Sequence, residues 1–125
     1  MSPSDTVVTL TKVREMLTPE DAWIKGLWTA KWETIPDGTR SLVACDRGGT
    51  AECWCLDGAL LETTRQSAVG APLRESAYWH AADAIARVIG TSSIITWNDD
   101  EDRTHAEVLA ALDKAISEEK RRADA

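Results

Sequence analysis

The stretch TWNDDEDRTHAEVL, residues 96–109, sets a tryptophan, an amide, four consecutive acids, an arginine and a histidine side by side. Two kinds of chemistry suit such a run. In one, the residues line a ligand site. Trp97 and Trp54 offer stacking faces, Asn98 and Asp99 read polar edges, and Arg103 holds an anionic group in bidentate fashion. A small polar or nucleotide-like ligand fits that set, because bases stack on aromatic rings. In the other, the residues only begin a helix. Thr104 followed three positions on by Glu107 matches a capping box, in which each satisfies a backbone N–H of the other's neighbourhood. Acids just before a helix start favour the positive end of its dipole, and Trp97 would pack as a staple near the entry. Capping leaves Asn98 and Arg103 unexplained. An Asn-Asp pair often makes a turn through side-chain to backbone bonds.

Other constellations point to less. Cys53 and Cys55 flank Trp54, and Cys45 lies eight residues before Cys53. Zinc asks for four ligands, usually at C-x2-C spacing. On a helix these two thiols would diverge by about 200°. Buried free thiols are the expected reading, with no metal and no cofactor. His80 and His105 sit in other segments, and His105 is expected at the surface. No Gly-rich phosphate loop, G-x-S-x-G or H-E-x-x-H occurs. Paired carboxylates are easily found among 21 acidic residues, so NDDED alone does not mark a hydrolase.

The elements that must position these residues follow from periodicity. Leu10, Val13 and Leu17 predict a helix over 7–17, after a frayed polar start at 1–6. Thr18-Pro19 opens a short helical turn carrying Trp23 and stopping at Gly26. Residues 27–33 alternate, with Trp28, Ala30 and Trp32 on one face, and 41–45 return after a Pro36-Asp37-Gly38 turn. Thr50 caps a helix over 51–66. Gly58 in its middle costs about 1 kcal/mol against Ala, which points to another element approaching closely there. Residues 67–72 connect to a helix over 73–89 that stops at Gly90. Residues 92–97 read as a short strand. A last helix carries the stripe Val108, Leu109, Leu112, Ala115 and Ile116, with a Glu118–Arg122 pair and a solvated, flexible tail from 119.

The chain has 125 residues, 43% of them hydrophobic, which suits one globular domain. It holds six Trp, one Tyr and no Phe. Its formal net charge of −7 disfavours nucleic-acid polymers and anionic membranes as partners. The start has no signal-peptide pattern and no run reaches the ~20 apolar residues of a membrane span, so the cytoplasm is the expected compartment.

Taken together, Trp23 with Gly26, WCLDGAL (54–60), IITWND (94–99) and RTHAEVL (103–109) resemble an uncharacterised family of small proteins from bacteria, notably actinobacteria, and their phages. The resemblance covers about residues 10–116. It implies a compact α+β domain and no mechanism. It also implies that the Trp–Asn–Asp segment, Arg103, Thr104 and the Cys55–Gly58–Ala59 segment belong to one unit.

The expected fold is a single α+β domain of about four helices on a small antiparallel hairpin or sheet. The leading functional expectation is non-catalytic binding, of a small polar or nucleotide-like ligand or of a host protein, with homo-oligomerisation left open. The alternatives are a small hydrolase acting on a nucleotide-like substrate with Asp99 as general base, and a pure protein–protein adaptor.

Overall fold

The computed structural model describes residues 2–45, 51–65 and 71–125. The expected cap at Thr50 and residues 67–70 of the connector expected over 67–72 lie outside the described residues, while residues 71 and 72 are already helical. The first helix, α1, spans Pro3–Leu17 and so begins four residues before the apolar spacing starts. Its first turn is polar, and its start is set by capping instead. The Ser2 hydroxyl accepts the Asp5 N–H, and the Asp5 carboxylate accepts the Ser2 N–H. Residues 3–6 are therefore helical rather than a frayed end, and Thr6 is buried.

A 3-10 turn at Glu20–Ala22 leads into the sheet. Strand β1 (Thr29–Thr34) lies in the middle, with β2 (Arg40–Ala44) on one side and β3 (Cys53–Trp54) on the other, both antiparallel. Trp32 stands opposite Leu42 across the hairpin. The turn between β1 and β2 uses Gly38 at positive φ, while the Asp37 carboxylate accepts the Thr39 N–H and hydroxyl.

The helix expected over 51–66 is shorter. Cys53 and Trp54 form a strand, and α2 runs Leu56–Arg65. Cys55 is the residue before the first turn, and its sulfur accepts the Gly58 N–H. The two thiols are thus not on one helix. Both are buried all the same. At Gly58 the backbone of Trp28 passes directly over the helix. An added Cβ would lie 2.8 Å from the Trp28 carbonyl carbon and would collide with its oxygen. The Trp28 oxygen also accepts the Cys55 N–H. Gly58 is therefore the close-approach point that its mid-helix position suggested.

Helix α3 spans Ala71–Ile89. The segment expected as a strand is instead a short helix, α4, Ile94–Asp99. Its apolar residues Ile94 and Trp97 are spaced for a helix, but four preceding residues of loop-like composition hide that period. Helix α5 spans His105–Ala123, so the expected loose tail is helical for most of its length. Glu119 is buried and accepts from Arg87 at 2.7 Å. Arg121 pairs with Glu118, and Arg122 with Glu119, in place of the Glu118–Arg122 pair.

Helices α1, α2, α3 and α5 enclose the main core around Leu10, Leu17, Leu60, Ile85, Val108 and Leu112. A smaller core, Ile24, Ala30 and Cys53, sits under the sheet. The architecture is a single α+β domain with five α-helices and a three-stranded antiparallel sheet among the described residues. No helix among them is long and apolar enough to cross a membrane.

The Gly58 contact gives a direct test. Gly58→Ala replaces a poor helix former by the best one, yet it should lower the unfolding free energy by about 2–3 kcal/mol, because the new methyl overpacks the Trp28 carbonyl. Urea denaturation measures this. A stabilised variant would refute the close approach.

Candidate functional site

Asn98 is completely buried. Its place on α4, four residues after buried Ile94, turns it inward. There it makes four hydrogen bonds. Its Oδ1 accepts the Trp23 indole N–H at 2.7 Å and the Leu56 backbone N–H at 3.0 Å. Its Nδ2 donates to the Ile24 carbonyl at 3.1 Å and to Asp99 Oδ1 at 2.9 Å. Leu56 is the first residue of α2, so its N–H lacks an intrahelical acceptor. Asn98 supplies one from across the chain. The side chain expected to read a ligand is thus fully engaged with the protein.

Arg103 is also engaged. Its guanidinium carbon lies 3.8 Å from the centre of the Trp97 ring. Its Nε donates to the Trp97 carbonyl at 3.0 Å, and its Nη1 to Glu107 at 3.0 Å. The side chain is only 18% exposed. On the other flank, Lys25 Nζ donates to the carbonyls of Asp100 and Glu101. Two cations therefore meet the carbonyl-rich end of α4, where the helix dipole is negative.

The capping box at the start of α5 is formed. The Thr104 hydroxyl accepts the Glu107 N–H at 3.2 Å, and Glu107 accepts the Thr104 N–H at 3.0 Å. These bonds, with Arg103 adding to them, hold the Glu107 carboxyl below its usual range. His105 is not a plain surface residue. It is half-buried, with Nε2 2.6 Å from the Leu17 carbonyl and its ring tilted against Trp23.

Trp54 does not join this cluster as a stacking face. It packs half-buried against the main core, and its indole N–H has no acceptor among the described residues.

A hollow of about 320 Å³ opens on the cavity side of α4. Ile95 and Asp99, four apart on that helix, form one wall. Gly26, Leu27 and Trp28 form the other, and Cys55 lies between. Burial pushes the Cys55 thiol up to about 11, which keeps it protonated near neutrality. Asp99 Oδ1 accepts the Gly26 N–H at 3.0 Å, which ties the two walls together. Of the expected site residues Trp54, Trp97, Asn98, Asp99 and Arg103, only Asp99 lines this hollow.

Periodicity did not single out Gly26, Leu27, Trp28, Cys55 and Ile95 as a site. Two signals were available: Gly58, which marks where the Trp28 backbone must pass, and apolar residues on the outer face of a short helix. Two further hollows lie along α3, one at Asp83, Arg87 and Gly90 and one at His80, Arg87 and Glu119. In the second, Arg87 and Arg122 close on Glu119.

Fold and site together define a small single-domain α+β protein with an apolar hollow beside a capped helix junction. The chain belongs to the family of unknown function DUF6197, which it matches over residues 1–118. No curated protein and no solved structure matches it.

Thr104→Ala should cost about 1 kcal/mol at neutral pH. The folded-state Glu107 carboxyl titrates below its ordinary value of 4.5, so its share of the box is complete above that pH. That share is lost as pH falls through the lower folded value. The stability difference between wild type and variant should narrow in this acid range. Thermal melts from pH 7 to pH 3 check it, and a difference independent of pH would remove the bond between the Thr104 hydroxyl and the Glu107 carboxylate, since alanine keeps the backbone N–H that Glu107 also accepts.

Proposed function

We propose that the protein is a non-catalytic binding protein whose binding element is the hollow between Gly26–Trp28 and Ile95. One observation supports this above others. Six large hydrophobic residues are exposed among the described residues, and three of them, Leu27 (37%), Trp28 (50%) and Ile95 (39%), line this one hollow. Single exposed apolar side chains are ordinary, whereas a cluster around a concavity marks a contact surface. The volume lies at the small end of ligand sites and suits one side-chain-sized apolar group.

The nucleotide-like ligand loses its anion grip, since Arg103 already holds Trp97 and Glu107. The hydrolase reading, with Asp99 as general base, keeps only a carboxylate beside an apolar wall. A cytoplasmic setting in a bacterium or a phage-infected cell suits the reading, because buried thiols persist reduced there.

The test is an NMR titration of the ¹⁵N-labelled protein with indole. Saturable shifts should appear at the Trp28 indole N–H and the Gly26 amide. Ile95→Lys should abolish them without lowering the melting temperature, and Arg103→Ala should leave them unchanged. Absence of saturable shifts, or shifts confined to Trp97 and Arg103, would contradict the reading. Turnover of any member of a nucleotide panel would favour the hydrolase.

A further inference from the structure

We infer that the occupant of the hollow is a basic segment of a partner protein, with one apolar side chain seated between Trp28 and Ile95 and a flanking lysine or arginine on Asp99. The inference rests on the hollow being the binding element and adds the chemistry of what fills it.

Charge carries the argument. Asp99 lines the hollow and is exposed. Its Oδ1 is held by the Gly26 N–H and Asn98 Nδ2, and no hydrogen bond or ion pair reaches Oδ2 among the described residues. Asp100, Glu101 and Asp102 continue from it, all exposed. No Lys or Arg lines the hollow among the described residues. Among the described residues flanking Gly26 and α4, Lys25 is committed to the carbonyls of Asp100 and Glu101, and Arg103 to Trp97 and Glu107. The whole chain carries −7. An apolar concavity with an acidic rim on an acidic protein attracts cations and repels anions.

The apolar rim points to a protein rather than a small free amine. Leu27, Trp28 and Ile95 all remain partly exposed around the opening, so apolar area extends beyond the hollow itself. That is the layout of an interface anchor, in which one side chain fills a pocket and its neighbours cover the surround.

Two blocked tripeptides, Lys-Trp-Lys and Glu-Trp-Glu, test this beside indole, with binding read at the Trp28 indole N–H. Lys-Trp-Lys should bind about tenfold tighter than Glu-Trp-Glu, and its affinity should fall as salt rises from 20 to 500 mM on the order of screened surface pairs. Asp99→Asn keeps the oxygen that accepts from Gly26. It should narrow the preference for Lys-Trp-Lys over Glu-Trp-Glu about threefold. Should Asp99→Asn lose its fold, the salt series on the wild-type protein decides alone. Equal affinity for the two peptides, or salt-independent binding, would overturn the inference while indole binding upheld the hollow. Failure of indole to bind would overturn both.

Discussion

The buried amide of Asn98 is the interaction on which the rest of the structure depends. One side chain satisfies the Trp23 indole, the first backbone N–H of α2 and the Ile24 carbonyl. They come from two segments, Trp23-Ile24 and the start of α2, each far from Asn98 in the chain and from the other. Each would be costly to bury unpaired, and water is excluded at a completely buried site. Around this point the backbone follows suit: Ile24 N–H donates to the Trp54 carbonyl, and Trp23 bridges Trp54 in parallel. The sheet and the helical layer are joined here by polar groups, where apolar packing alone would tolerate sliding.

The same junction explains why the candidate site lies where it does. Because Asn98 turns one face of α4 inward, Ile95 and Asp99 are turned to the hollow. Because α2 must start at Leu56 beside Asn98, Cys55 comes to line the hollow, and Gly58 admits the close approach of the Trp28 backbone. Asn98 and Arg103 are scaffold, and the surface they support is apolar. Arg103, stacked on Trp97, secures the far side of α4 and its carbonyl end.

Long amphipathic helices were legible in the sequence because their periods are unambiguous. The α5 stripe and the Thr104–Glu107 box appear as the residue pattern indicated. So does the close approach at Gly58, since a glycine inside a helix needs a steric reason. The start of α1 was hidden, because capping by Ser2 and Asp5 carries no hydrophobic period. Helix α4 was hidden because six residues are too few to separate a period of 3.6 from one of 2. The role of Asn98 was out of reach for a different reason. Its partners lie 42 to 75 positions away, apart from Asp99 beside it. Local pattern describes neighbours along the chain, and a four-bond amide is defined by neighbours in space.

Equilibrium urea unfolding of Asn98→Leu tests the central claim most directly, since leucine keeps the branched heavy-atom outline of the amide, with bulkier methyls in place of its oxygen and nitrogen, and removes all four hydrogen bonds. The Trp23 N–H, Leu56 N–H and Ile24 carbonyl would then stand buried and unpaired, and stability should fall by about 3 kcal/mol or more. A loss under about 1 kcal/mol would mean that the junction is held by packing and that Asn98 is not its keystone.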